Sequence, residues 1–163
     1  MLREDTKRQE RIGLKKGNMN IEYNNIDVPL RIKKKDTSLW LGQVASKYKV
    51  SIESLSYNFC SDEYLLEVNR EHLNHDYYTD IITFDLSEKK GCIEGDIYIS
   101  LDRVRANAKE NKVTMKDELS RVMAHGLLHL IGFMDKTPKE VAAMRKAEGE
   151  CLDLQKTLFH VKH

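Results

Sequence analysis

Cysteine is scarce in this chain, and its placement excludes two kinds of cross-link. Only three of the 163 residues are cysteines, and none of them stands in a CxxC pair. Their odd number and wide separation argue against a disulfide framework, a disulfide-linked partner and a thiolate zinc site. We therefore expect small buried apolar residues at Cys60, Cys92 and Cys151. Histidine and carboxylate side chains are left as the candidate metal ligands.

The chain also lacks an excess of charge and a long apolar run. Lysine and arginine number 27 against 26 aspartates and glutamates, so no bulk charge draws the protein to nucleic acid, and RNA binding would need a local basic surface. No apolar run approaches the roughly 20 residues of a transmembrane helix, and the N-terminus has no apolar core of a secretory signal. The sequence therefore predicts a cytoplasmic protein with no membrane partner.

The first 18 residues differ in composition from the rest. They are charged, without a period and poor in large apolar side chains, so they bury too little surface to offset the entropy of ordering. We predict that residues 1–18 are a disordered extension or a mis-called start, with Met19 as the natural initiator. The remaining residues, 19–163, are long enough for one domain with one core.

Alternating helical and strand patterns follow Met19. Strand-like alternation is seen at 21–23 and 55–59, and the segments IITFDL and CIEGDIYIS, joined by the turn EKKG, predict an antiparallel hairpin. Capping residues predict helix starts; they are Asp36 or Thr37, Asp62, Ser100, Thr114 and Thr137. The pattern is typical of a small α+β domain in which helices pack on one mixed sheet.

The stretch HGLLHLIGFMDK, residues 125–136, contains the most specific chemistry. Residues four apart on a helix share a face, so His125 and His129 can bind one ion. Gly132 is suited to ending the helix in a left-handed turn, which can bring Asp135 back beside the pair. Two histidines and one carboxylate leave an open position for water, as in catalytic zinc sites, where the ion lowers the pKa of that water towards about 7. A zinc site at the end of a helix is thus one interpretation; a pair of satisfied histidines with Asp135 as a surface acid is the other.

The residue between the histidines bears on the reaction. Helical zinc peptidases have the pattern HExxH, in which the glutamate is the general base. Gly126 occupies that position here and cannot move protons, so this peptidase mechanism is excluded. Glu118 lies seven residues before His125 on the same helical face, where it can orient a ligand or accept a proton. A solvated surface glutamate is the alternative, and apart from metal-bound water no other catalytic group is assigned.

Three segments together resemble the YbeY family of metal-dependent endoribonucleases, which act as rRNA maturation factors. They are VNREHLNHDYYTDIITFD (68–85), EGDIYIS (94–100) and HGLLHLIGFMD (125–135), in the family's order and with suitable spacing. The resemblance implies an α+β fold with one zinc ion on a helix and cleavage of single-stranded RNA. It further implies work on ribosomal RNA with the small ribosomal subunit, mainly at the 3′ end of its rRNA. His125 and His129 fall on the family's first two ligands.

Two positions depart from the family pattern. An ungapped alignment puts Asp135 where the family has its third ligand, a histidine, and a carboxylate is chemically acceptable to zinc. Alternatively, Asp135 is the family's preceding aspartate displaced by one, and the ligand is lost or supplied by His160 or His163. The family's arginine in the LNxxYR stretch aligns with Leu73, which cannot offer a bidentate fork to phosphate.

Other residues are candidates for substrate binding. Lys33, Lys34 and Lys35 can attract phosphate, although a solvated turn is the default interpretation of such a run. Tyr77 and Tyr78 can stack on the bases of single-stranded RNA, or else pack at the mouth of the sheet.

Three functions remain open from the sequence. The leading hypothesis is a zinc-dependent, single-strand-specific endoribonuclease in rRNA processing. The alternative is a ribosome-associated assembly factor with a structural zinc and little nuclease activity, which Leu73 favours. A third is non-heme iron chemistry, since two histidines and a carboxylate also describe the iron facial triad.

Overall fold

The computed structural model describes residues 19–159, and its elements alternate as the sequence indicates. The strands are β1 (Asn20–Asn25), β2 (Ser51–Cys60), β3 (Ile81–Asp85) and β4 (Cys92–Ser100). The helices are α1 (Lys34–Lys47), α2 (Asp62–Leu73), α3 (Leu101–Glu110), α4 (Met115–Ile131) and α5 (Pro138–Leu158). The predicted extension at residues 1–18, and with it the question of the natural start, lies outside the described residues.

The strands form one mixed sheet in the order β1-β2-β4-β3. β1, β2 and β4 run parallel, and β3 pairs antiparallel with β4, from Ile81 opposite Ile99 to Asp85 opposite Gly95. The antiparallel hairpin is therefore confirmed, as is the α+β class with one mixed sheet.

The core lies mainly on one face of the sheet. β2 is an inner strand, and its alternate residues Leu55, Tyr57 and Phe59 are buried there against α1, α4 and α5. A smaller cluster on the opposite face joins Cys60 and Ile82 to the apolar side of α2. Because helices cover both faces near the end of β2, its last four residues are all buried, although the alternation at 55–59 is typical of a strand with one buried face.

Three of the five predicted helix starts are confirmed. Ser100, Thr114 and Thr137 each accept a hydrogen bond from the backbone N–H three residues later. Thr137 also forms the full capping box, because the Glu140 carboxylate accepts the Thr137 N–H at 2.9 Å. These caps fix where α4 and α5 begin, on either side of the histidine segment.

The other two predicted starts are wrong by one to four residues. α1 begins at Lys34, so Asp36 and Thr37 lie in its first turn, and there is no side-chain cap. At α2 the cap is Ser61, whose hydroxyl accepts the Tyr64 N–H, while the Asp62 carboxylate instead accepts the Ser100 hydroxyl at 2.7 Å. The Asp62 side chain, which the local sequence would assign to the cap, thus forms a tertiary contact between the starts of two helices.

The cysteines follow the prediction with one exception. Cys60 and Cys151 are buried, and burial raises the pKa of the first thiol to about 12 and of the second to about 11, so neither is a ready metal ligand or nucleophile. Cys92 is only half-buried, because it opens β4 beside the exposed turn at Gly91. Over residues 19–159, no helix combines the length and the apolar character needed to cross a membrane.

Candidate metal centre

Helix α4 carries both histidines and packs tightly on the sheet beside them. A Cβ atom at Gly126 would lie only 3.0 Å from the Cδ1 atoms of both Ile81 and Ile97. A side chain at this position would therefore point into the sheet and force its neighbours apart. The glycine that removes the peptidase base is thus needed for packing, and a glutamate there would not face the histidines.

The turn after α4 matches its prediction. Gly132 has φ +130°, a conformation that L side chains rarely adopt, and its N–H donates to the carbonyls of Leu128 and His129. Four residues then lead to the capped start of α5 at Thr137. This reversal returns Asp135 to the face of α4 that bears the histidines.

The structure brings the three predicted ligands together. Asp135 Oδ2 lies 3.4 Å from His125 Nε2 and 3.2 Å from His129 Nε2. At metal–ligand distances of about 2.0–2.2 Å, two ligands of a tetrahedral ion are roughly 3.3–3.6 Å apart. His125, His129 and Asp135 could therefore form a metal site, and one donor atom from each lies within 4.8 Å of the others.

Both imidazoles are oriented by a hydrogen bond from the ring nitrogen that points away from Asp135. His125 Nδ1 lies 2.6 Å from a Glu148 carboxylate oxygen, and His129 Nδ1 lies 2.9 Å from the Phe133 carbonyl oxygen. Both partners are hydrogen-bond acceptors, so each ring is held through its Nδ1 atom and presents its Nε2 atom to Asp135, where a metal would bind. The donor set therefore fits a divalent ion such as zinc.

Glu148 belongs to a buried network of charges behind His125. The Arg121 guanidinium donates to Glu148 Oε1 at 3.0 Å and forms two further bonds to Glu118, at 2.6 and 2.9 Å. Burial alone would raise the pKa of the Glu148 carboxyl, but hydrogen bonds from His125 and Arg121 hold it below its usual range. The hydrogen bonds that Arg121 donates to Glu118 and Glu148 raise the pKa of its guanidinium, so the pair of Arg121 and Glu148 stays charged.

The network corrects the interpretation of Glu118 as a solvated surface residue. Its side chain is 2% exposed, and both carboxylate oxygens are engaged by Arg121. The structure does not place Glu118 against either histidine. Glu118 binds Arg121, Arg121 binds Glu148, and Glu148 contacts His125.

The sequence analysis did not assign a role to Arg121 or Glu148, although the position of each residue in its helix was a usable signal. Glu148 lies in the buried stripe of α5, between Met144 and Cys151, where a charge needs a partner. Arg121 is three residues after Glu118 and four before His125, which puts all three on one face of α4.

The two tyrosines lie in the loop before β3, and their contacts are with residues outside the histidine cluster. Tyr78 donates to Glu63 and has the Arg103 guanidinium over its ring at 5.3 Å, while Tyr77 stacks on His75. Both tyrosines are about half exposed and do not pack into the core.

The three lysines lie elsewhere. Lys33, Lys34 and Lys35 are at the start of α1, whose far end at Tyr48 contacts Phe133 in the turn after α4. A helix of 14 residues is about 21 Å long. The lysine run is therefore separated from the histidines by roughly the length of α1.

The site is closed on one side and open on the other. The side chain of Glu148 is 3% exposed, whereas that of Asp135 is 40% exposed. Among the described residues the metal-binding cluster has three members, which leaves room for a further ligand on the Asp135 side. His160 and His163, the alternative third ligands, lie outside the described residues.

Comparisons with known proteins identify the family of this chain. The family model described as Endoribonuclease YbeY matches residues 18–156. A protein of Cytophaga hutchinsonii named Endoribonuclease YbeY is 62% identical over 72% of this chain and 82% of its own length. A protein of the same name from Porphyromonas gingivalis is 46% identical over 86% of this chain and 92% of its own.

A solved structure shows the same fold. The solution structure of TM1509 from Thermotoga maritima superposes with a TM-score of 0.59 at 23% identity, covering 86% of this chain and 91% of that one. At this identity the likeness concerns the fold alone. The match to the family model and the identity with named relatives together show that the chain belongs to the YbeY family of endoribonucleases.

Proposed function

We propose that this chain is a zinc-dependent endoribonuclease that hydrolyses phosphodiester bonds of single-stranded RNA. Its role would be in rRNA processing on the small ribosomal subunit, including maturation of the 3′ end of that subunit's rRNA. We expect it in the cytoplasm, where ribosomes are assembled.

The observation that carries this proposal is the convergence of three donor atoms. Two Nε2 lone pairs and one Asp135 oxygen are separated by distances that suit ligands of one ion, and the Nδ1 atoms are already engaged. An oxygen ligand in place of the family's third histidine suits zinc and adds one negative charge.

Each group has a distinct part in the proposed reaction. A divalent ion held by this triad would supply positive charge to stabilise a phosphate oxygen as negative charge develops there. His125 and His129 keep their Nε2 atoms directed at one point because their Nδ1 atoms are hydrogen-bonded to Glu148 and to the Phe133 carbonyl. The exposed side of Asp135 leaves room for a phosphodiester group, and Tyr77 and Tyr78 would stack on neighbouring bases.

Cleavage by the purified protein tests the proposal. Protein purified without added metal should contain about one zinc per chain and should cut single-stranded but not duplex RNA. Asp135→Ala should abolish cleavage, whereas Asp153→Ala, which removes an exposed aspartate on α5, should leave it unchanged. Full cleavage by Asp135→Ala would refute the assigned triad.

The second candidate is a ribosome-associated assembly factor with a structural zinc. Leu73 favours it, because the last residue of α2 offers a half-exposed apolar side chain where the family pattern has an arginine. Under this alternative the wild-type protein cleaves nothing, and Asp135→Ala unfolds instead of keeping its RNA affinity. The product ends give further information: a 2′,3′-cyclic phosphate would identify the neighbouring hydroxyl as the nucleophile.

A further inference from the structure

We infer that Glu148 is a positioning residue for His125, and that the ion pair of Arg121 with Glu118 holds Glu148 in place for that task. This rests on the proposed metal site and assigns a role to three residues of the chain that bind no metal themselves. The role is to fix where the His125 ring points, so that Nε2 faces the proposed metal position.

The two histidines are held by different kinds of acceptor. His129 Nδ1 meets a neutral backbone carbonyl at 2.9 Å, next to the turn at Gly132. His125 Nδ1 meets a buried carboxylate at 2.6 Å. A charged acceptor draws the Nδ1 proton more strongly and makes Nε2 a better electron donor, so His125 is the more strongly supported ligand.

Glu148 comes from a different helix and is itself firmly placed. Its Oε2 faces His125, and its Oε1 accepts from Arg121 at 3.0 Å and from the more exposed Arg145 at 3.3 Å. Arg121 is in turn fixed by two bonds to Glu118. Every carboxylate oxygen of Glu118 and Glu148 has a partner. The Glu148 carboxylate therefore has little freedom to turn away from the His125 ring.

Two glutamate variants separate positioning from a contribution to the fold alone. Glu148→Gln and Glu118→Gln each remove one buried charge that pairs with Arg121, but only Glu148 contacts His125. Glu150→Gln, on the exposed face of α5 and paired with Lys47, is the control for loss of an acid from this helix. The measurements are the zinc dissociation constant by chelator competition and the thermal stability of each metal-free variant.

Glu148→Gln should weaken zinc binding by roughly 10- to 100-fold, which is typical when a residue that hydrogen-bonds a metal ligand is changed. Glu118→Gln should weaken zinc binding by clearly less. The two metal-free variants should have comparable thermal stability. Glu150→Gln should bind zinc as the wild type does. Equal zinc affinity in Glu148→Gln and wild type would overturn the positioning role of Glu148, and wild-type affinity in Glu118→Gln would overturn the supporting role of the ion pair between Arg121 and Glu118. Because no RNA is involved, a protein that binds zinc in this pattern but cuts no RNA would refute only the proposed function.

The ring nitrogen that binds the metal gives a readout that does not depend on the variants folding. In zinc-loaded wild-type protein, nitrogen-15 NMR of the His125 ring should show zinc on Nε2 and a hydrogen-bonded proton on Nδ1. Zinc bound through Nδ1 would contradict the positioning role.

Discussion

The two sides of the histidine pair are built differently. Behind His125, helices α4 and α5 enclose a network of ion pairs formed by Glu118, Arg121 and Glu148. Beside His129, a turn supplies a backbone carbonyl and the half-exposed Asp135. The ligand geometry is thus anchored from the buried side, whereas the Asp135 side is exposed to solvent.

Replacing each histidine by alanine gives the largest expected effect and tests this asymmetry. Both variants lose a metal ligand. Their zinc affinity should therefore fall by more than the roughly 10- to 100-fold that is typical when a residue that hydrogen-bonds a ligand is changed. In metal-free protein, only His125→Ala leaves a buried carboxylate oxygen without its partner, which should cost about 1–3 kcal/mol of unfolding free energy. Urea unfolding in the presence of chelator measures the difference; equal stabilities of the two variants would remove the asymmetry.

Glycine substitutions test how closely the buried side is packed. Gly126→Ala places a Cβ 3.0 Å from two isoleucine side chains and should cost about 1–3 kcal/mol. Gly149→Ala is the matched control, because a Cβ there meets nothing within 4 Å and alanine favours a helix by up to about 1 kcal/mol. Thermal unfolding of both should show opposite signs; a neutral Gly126→Ala would mean that α4 moves away from the sheet without cost.

Tyrosine substitutions examine the open side. If Tyr77 stacks on a base, Tyr77→Ala should weaken single-stranded RNA binding by about 1 kcal/mol or somewhat more, without changing zinc content. Lys34→Ala with Lys35→Ala, at the distant end of α1, should weaken it less. Fluorescence anisotropy with a labelled oligonucleotide measures both; a larger loss in the lysine variant would move the RNA to the other end of the helix.

A substitution at the start of α5 should have the smallest effect on the site. Thr137→Ala removes a capping box two residues after Asp135 and should lower the unfolding free energy by about 1 kcal/mol. Zinc affinity should change little, because the imidazoles are oriented by Glu148 and the Phe133 carbonyl. Calorimetry with and without zinc separates the two effects, and a loss of zinc affinity as large as that of Glu148→Gln would show that the turn is the main anchor.

Sequence patterns predict the open side of the site better than the buried side. Gly132 and Asp135 act through local turn geometry, and the helix caps at Thr114 and Thr137 are local as well, so all four were predictable. The contact of Glu148 with His125 joins residues 23 positions apart on two helices, and its formation depends on how those helices pack. Asp62 also depends on a contact between residues far apart in sequence. Its carboxylate accepts a hydrogen bond from the Ser100 hydroxyl, although the local sequence assigns it to a helix cap.

The central claim is that Asp135 completes a metal site with His125 and His129. Elemental analysis of protein purified without added metal, comparing wild type with Asp135→Ala, tests it most directly. We predict about one zinc per wild-type chain and a marked loss of metal from the variant. Equal zinc content and affinity in the two proteins would place the third ligand elsewhere, and iron in place of zinc would contradict the proposed metal.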